Sequence, residues 1–306
     1  MELQERLKEF DIQSYTRGVR LRDKVFEIVG LVATFFVLTF LFAVSLDLLI
    51  DGWVRITDPN FYKSYPSRFP EKAGILSAWV GTLYVMAGAI FWAVVLGIPA
   101  GIYLEEYGGK GKIARIIEAN ISNLAAVPSI VYGLLALGVF VYRLEFGESI
   151  LTAGLTLGLL MIPVVVVATR ESIRRIPRSI REAAYALGAT RWETLLHHIL
   201  PYSAGGILTG LIIAASRAIG ETAPLITIGA LTFIAFLPPA PWQDFIGMLK
   251  SPFTVLPIQM FNWVSRPQEA FHTNAAAAGF ILLVLAFLMN SIAFYLRFKV
   301  RRKYQW

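Results

Sequence analysis

The 306-residue chain contains no cysteine, which excludes disulfides, thiolate-held metals and thiol nucleophiles. Histidine is nearly absent, at three residues. His197 and His198 are neighbours, and adjacent side chains on a helix point about 100° apart, so the two do not chelate one ion. With His272 in a different connection, no metal site is expected. Charge is sparse too: 16% of residues are Asp, Glu, Lys or Arg, against 56% hydrophobic. Soluble domains carry roughly 25% charged residues, and a chain this poor in them is built for the bilayer. A G-x-x-x-x-G-K-[ST] phosphate loop is also missing. The glycine-lysine cluster GGKGK at 108–112 lacks the upstream glycine and the hydroxyl residue after the lysine. It is a basic loop, and no ATP hydrolysis is expected of this chain.

What the chain does have is hydrophobic length. A helix needs ~20 mostly apolar residues to cross the hydrocarbon core. Six stretches qualify: 28–46, 78–104, 121–142, 149–169, 203–237 and 275–296. The first follows about two dozen polar residues and is too long for a signal h-region, so it is expected to span and not to be cleaved. The third begins with polar residues (Ser122, Asn123, Pro128, Ser129), and the fifth is too long for one straight span and contains Pro224.

The formal charge of +7 does not point to nucleic acid, because the basic residues are confined to segments flanking the apolar runs. Twenty Lys and Arg lie in the N-terminal segment, the 105–120 and 170–202 connections and the tail, against seven in the other three connections. Such residues gather on the cytoplasmic side, so both termini are expected there. The pattern predicts an all-α, polytopic membrane protein: a cytoplasmic segment 1–24, a transmembrane domain 25–298 and a basic tail 299–306. The 51–77 connection is rich in aromatics and proline, including Trp53, Phe61, Tyr62, Tyr65 and Phe69. Two readings fit it: an interfacial aromatic belt, or a docking surface for an extracytoplasmic partner. Gly97 with Gly101, and Ala275 with Gly279, predict close helix contacts.

The 170–201 connection, RESIRRIPRSIREAAYALGATRWETLLHHILP, predicts two short helices meeting at Gly188 and ending at Pro201. Such a charged knob suits docking of a second protein. Its cluster Arg170, Arg174, Arg175, Arg178 and Arg181 fits snorkelling to anionic headgroups, with a regulatory partner as the alternative. Glu182-Ala183-Ala184, then Gly188, then Leu200-Pro201, resemble the EAA loop of ABC importer permeases, the coupling helices that seat in a cleft of the ATP-hydrolysing subunit. That pattern usually carries isoleucine two positions before the leucine; His198 stands there, with Ile199 beside it.

Further segments narrow the resemblance. GIYLEEY (101–107), NLAAVPSIVYG (123–133), RAIGETAPL (217–225), LPIQMFNW (256–263) and AAAAGF (275–280) are similar to permease subunits of phosphate ABC importers. GETAPL is closer to the PstA-like member of that pair than to the PstC-like one. The resemblance implies a six-helix, type I ABC importer permease in a prokaryotic inner membrane. It also implies a PstC-like partner permease, two ATPase subunits holding ATP and magnesium, and an extracytoplasmic phosphate-binding protein. Residues Arg181, Glu182, Ala183, Ala184 and Gly188 are then expected to dock the ATPase.

Arg217 and Glu221 fall inside an apolar stretch, where one unpaired charge costs ~2.5–3.5 kcal/mol on insertion scales. At a spacing of four they share one face of a helix and pair. Either the pair only fixes helix register, or it lines a path. A guanidinium offers bidentate hydrogen bonds to an oxyanion such as phosphate, molybdate or sulfate. Pro224 predicts a kink beside the pair, where Thr222 adds a hydroxyl. A path role for Arg217, Glu221 and Thr222 favours a transporter, though an autonomous channel or membrane enzyme would use the same pair.

Overall fold

The computed structural model describes residues 12–108, 111–231 and 233–303. Most of the 1–24 segment's first half, Gly109 and Lys110 of the GGKGK loop, and the end of the basic tail therefore lie outside the described residues. Among the described residues every regular element is helical. The helices are α1 (Ile12–Ile56), α2 (Leu76–Tyr107), α3 (Lys112–Ala125), α4 (Ser129–Arg143), α5 (Ile150–Arg174), α6 (Arg178–Ala186) and α7 (Arg191–Ala218). They continue with α8 (Ala223–Thr227), α9 (Phe245–Lys250), α10 (Leu256–Val264) and α11 (Glu269–Lys303).

The chain divides into two units, 1–50 and 51–306. In the first, α1 carries exposed apolar side chains such as Leu31, Phe35, Phe36 and Phe40. A helix apolar all round suits lipid. The second unit is built on α5. Of the sequence-predicted close contacts, Gly101 sits so near α5 that a Cβ there would lie 2.6 Å from the Thr169 Cβ. On the other flank a Cβ at Gly210 would lie 2.0 Å from that of Ala168. Small residues thus let α2 and α7 close on α5 from two sides, which is how helices gain packing where lipid supplies no hydrophobic drive.

Five helices are long and apolar enough to span by themselves, and α3 with α4 forms a sixth path bent by 105°. The 121–142 stretch, expected as the third span, is therefore sharply bent near its polar start. Pro128 disfavours helix at Val127, and the Tyr132 hydroxyl donates to the Leu124 carbonyl at 2.8 Å, fastening the corner. The fifth stretch breaks beside Pro224, as expected: α7 stops at Ala218, and only the short helices α8, α9 and α10 follow before α11. Some of its remaining apolar residues are buried by protein, while Ile226, Leu231, Phe233, Phe236 and Leu237 stay exposed. Ile228 and Ile234 are almost wholly enclosed, and Ser77 donates to the Ile234 carbonyl at 2.9 Å.

Pro201, expected to end the second short helix, lies inside α7. A wide turn over Leu195–Ile199 precedes it, with the Leu200 N–H bonding five residues back to the Leu195 carbonyl. The wider turn relieves the clash a proline ring makes with a regular turn's carbonyl. The 51–77 connection folds into a small core. Phe61, fully buried, stacks near Trp263 (5.9 Å between centroids), and Arg55 lies 4.8 Å above the Phe61 ring. Arg55 also bonds Asp58 at 2.9 Å and the Glu71 carbonyl at 3.1 Å. Burial pushes the Tyr62 phenol above its usual range, and its hydroxyl donates to the Ile56 carbonyl at 2.9 Å. Trp53 and Phe69 alone among its large aromatics stay exposed.

Candidate functional site

Two places carry the charged chemistry. The first lies where α7 ends. Arg217 sits in the last turn of α7, where a cation complements the helix dipole, and Glu221 follows the break. Their spacing of four therefore spans a helix terminus and not one continuous face. The Arg217 Nε–Glu221 Oε1 distance is 3.5 Å, with Arg217 half-exposed (50%) and Glu221 less so (19%). That is the outer limit of a hydrogen bond, so the contact is a weak one. The terminal amines of Arg217 have no partner among the described residues. Thr222 closes the turn: its carbonyl accepts from the Leu225 and Ile226 amides, both at 3.0 Å, and so starts α8. Pro224 then occupies the first turn of α8, where its missing N–H costs nothing.

The α4 helix packs directly on this break. A Cβ at Gly133 would meet Thr227 Oγ1 at 1.8 Å and the Pro224 Cα at 2.7 Å. Two segments almost a hundred residues apart, VPSIVYG and ETAPL, are thus brought together, and Gly133 is a contact that sequence reading missed. Nothing local to a glycine flanked by apolar residues would have marked it.

The second place is the 170–201 loop. Pro177 ends α5, α6 runs Arg178–Ala186, and Gly188 takes φ +89°. The Ala189 N–H bonds the Ala184 carbonyl (3.0 Å) and the Gly188 N–H that of Tyr185 (2.9 Å), a Schellman cap that only glycine enters easily. Thr190 opens the next helix with a reciprocal cap: its Oγ1 accepts from the Glu193 amide at 3.2 Å, and its amide donates to Glu193 Oε2 at 2.8 Å. Ile173, Ile176, Leu195 and Ile199 form a buried core beneath, with Ile102 of α2 packed on it. The knob is therefore rigid and joined to the bundle.

Of the five residues expected to dock a partner, Glu182, Ala183 and Gly188 are exposed. Leu187 beside them is 89% exposed, and Trp192 and Tyr185 also present apolar surface. Ala184 is buried and Arg181 faces inward, because each is held by the chain itself. The Arg181 guanidinium reaches Glu106 Oε1 at 2.6 Å and donates to the Ile176 carbonyl at 3.0 Å and that of Ile173 at 3.3 Å. These carbonyls lie at the end of α5, where a helix leaves its acceptors unsatisfied.

Two of the other four loop arginines, Arg170 and Arg174, are paired within the chain as well. Arg174 grips Glu105 bidentately at 2.9 and 3.2 Å, and Arg170 meets Glu118 at 2.9 Å. Glu105, Glu106 and Glu118 were not singled out from the sequence. The visible signal was two adjacent carboxylates, LEEY, at the end of a span facing an arginine-rich loop.

With that geometry in view, residues 97–302 match the model of the family described as binding-protein-dependent transport system inner membrane component. A phosphate transport system permease protein, PstA 1, of Mycobacterium tuberculosis (strain CDC 1551 / Oshkosh) is 32% identical over 255 residues. The alignment covers 82% of this chain and 81% of that protein. The Yersinia pestis protein PstA, also a phosphate transport system permease, is 36% identical over 208 residues, 66% of each chain. Among solved structures, the inward-facing MetNI methionine ABC transporter superposes with a TM-score of 0.54 at 17% identity, covering 72% of this chain and 94% of that one. A likeness at that identity shows a shared fold.

Proposed function

The chain belongs to the binding-protein-dependent transport system inner membrane components, and from that premise we propose that it is the PstA-type permease subunit of an ATP-driven phosphate importer. One observation carries the reading: identity to a phosphate permease extends over most of the chain. The chain is a multi-pass membrane protein of ABC importer permease architecture. Lys and Arg asymmetry puts its termini in the cytoplasm of a prokaryotic inner membrane. Its partners are a PstC-like permease, two ATPase subunits and an extracytoplasmic phosphate-binding protein. ATP and magnesium belong to the ATPase subunits and not to this chain.

The mechanism follows from the two charged places. Glu182, Ala183, Gly188 and the exposed Leu187 seat in the ATPase. Closure of the ATPase dimer pushes the knob, and the rigid core with the Arg181–Glu106 pair passes the displacement to the ends of α5 and α2. Arg181 and Ala184 are thus positioning residues behind the docking face. At the α7–α8 break the free amines of Arg217 take two phosphate oxygens in fork geometry. Glu221 holds Arg217 loosely when phosphate is gone and weakens retention enough for release. Thr222 offers a hydroxyl at the same turn. A lone guanidinium does not by itself discriminate between oxyanions. The test is uptake in a strain lacking its own phosphate importers, with this chain and its partners supplied. Labelled phosphate should accumulate and excess molybdate or sulfate should not compete; competition by either would reassign the substrate. ATP-independent uptake would return the chain to the channel class.

A further inference from the structure

The helices α2 and α5 lie side by side and run in the same direction, with small residues marking their contact along its length. Near their starts a Cβ at Gly88 would lie 3.4 Å from the Gly154 Cα, and one at Gly158 would lie 2.9 Å from the Trp92 Cβ. Near their ends Gly101 closes on Thr169, and Arg174 grips Glu105. Contacts this close hold the two helices in fixed register.

Between those contacts both helices are weakened, and at the same level. In α2 the turn over Ala93–Gly97 is widened, and Pro99 follows it; the wider turn makes room for the proline ring. In α5 Pro163 lies inside the helix, where it offers no N–H to the Leu159 carbonyl and crowds it. The two weak turns touch. A Cβ at Gly97 would lie 3.0 Å from Val165 Cγ1 and 3.6 Å from the Ile162 carbonyl oxygen, on either side of Pro163. Sharp bends in helices fall at prolines and widened turns, and here one of each faces the other inside a closely packed pair.

Past that level everything is tied to the coupling loop. Ile102 packs on the core of Ile173, Ile176, Leu195 and Ile199, and Arg181 reaches Glu106. The α7 helix is tied there too, with Gly206 against Ser172 and Gly210 against Ala168. From Leu200 to Ala218 it is one helix, with Arg217 in its last turn. We propose that the widened turn at Ala93–Gly97 and Pro163 are two halves of one hinge. Across it, residues 98–107 of α2, 164–174 of α5 and the coupling loop swing as a single lever, and α7 carries the swing to the Arg217 break. Pro163 is then a positioning residue that acts by letting α5 bend. The hinge rests on the ATP-driven reading of the chain, and not on which anion is carried. Residues 164–174 span about 16 Å of helix, so a bend of roughly 20° moves their far end by about 5 Å.

The test uses the assembled transporter in nanodiscs, with cysteine-free partner subunits, since this chain has no cysteine of its own. Spin labels on introduced cysteines report distances by double electron–electron resonance, without nucleotide and with ATP and vanadate. Lys63, Tyr107 and Ser179 are exposed labelling positions. Lys63 belongs to the folded 51–77 connection, which Trp79 fastens to the start of α2 through a 3.2 Å bond to the Tyr62 carbonyl. With Lys63→Cys and Ser179→Cys, nucleotide should shift the distance by about 5 Å. With Tyr107→Cys and Ser179→Cys, both on the lever, it should stay constant. Pro163→Ala restores the helix bond: assembly and ATP hydrolysis should persist, while the Lys63–Ser179 shift shrinks and phosphate taken up per ATP falls. An unchanged shift in that variant overturns the hinge. So does the absence of any shift in the parent complex, or a Tyr107–Ser179 distance that moves as much. If Pro163→Ala does not assemble, Pro99→Ala takes its place with the same expectation, and the parent distances decide in any case. The distances are read with no anion present, so a wrong substrate assignment appears only in uptake and a wrong hinge only in the distances.

Discussion

The two charged regions of the molecule are built to opposite specifications. At the coupling loop, Arg174 is bidentate to Glu105, and Arg181 is bound at once to Glu106 and two helix-end carbonyls. At the α7–α8 break one 3.5 Å contact joins Arg217 to Glu221, and the arginine is half-exposed. A multiply bonded guanidinium fixes geometry; a singly held one is free to trade partners. In the proposed mechanism force transmission needs the first and substrate passage the second, so that one residue type would do two jobs, separated by how many bonds surround it.

The strongest way to break this contrast is at Arg217. Arg217→Gln should abolish phosphate uptake while the complex still assembles by size exclusion; normal uptake would end the path assignment. Glu221→Gln probes the other half of the pair. With its resting partner neutralised, Arg217 should hold phosphate more tightly, lowering both KM and the maximal rate of uptake.

Next in size is the fixed side of the contrast. Arg181→Met removes one partner of a mostly buried pair and should cost about 2 kcal/mol, discounted for residual exposure from the fully buried case. ATPase co-purification should survive, while transport per ATP hydrolysed falls. Pairing Arg181→Glu with Glu106→Arg should recover part of the coupling. No recovery would mean that the carbonyl contacts, and not the ion pair, make the joint.

Gly188→Asp places a side chain where φ is +89°, a strain of about 1–2 kcal/mol. The exposed face would be re-aimed, and the ATPase subunits should be lost in a pull-down even though α6 itself persists. The smallest effect is expected at Asn290. Its Oδ1 lies 2.6 Å from the Ser216 hydroxyl one turn before the break, and interhelical polar contacts in membranes average about 0.6 kcal/mol. Asn290→Leu should therefore lower the melting temperature slightly and leave uptake near normal. A large uptake loss there would extend the path region beyond the Arg217 turn.

Much of the fold was legible beforehand. Six apolar stretches gave the helical class, because membrane thickness sets a length that composition reveals directly. Gly188 announced a break because a helix cap with positive φ favours glycine. Pro201 misled, since a wide turn three-dimensionally accommodates a proline that a regular helix would reject. In the 225–237 tract hydropathy did not separate Leu225, Ile228 and Ile234, which protein buries, from Phe233, Phe236 and Leu237, which stay exposed.

The sequence by itself determined where apolar length, charge and the coupling motif lie, since those are properties of neighbouring residues. Only the tertiary structure decided which charges are paired. Glu105 meets Arg174 across 69 residues and Glu106 meets Arg181 across 75. Arg217 and Glu221 were expected to pair on one helix face; they meet at only 3.5 Å because α7 ends between them. Local spacing fixes which side chains share a helix face. Which elements come to face each other is set by packing, here by Gly101 and Gly210 closing on α5 and Gly133 closing on the break.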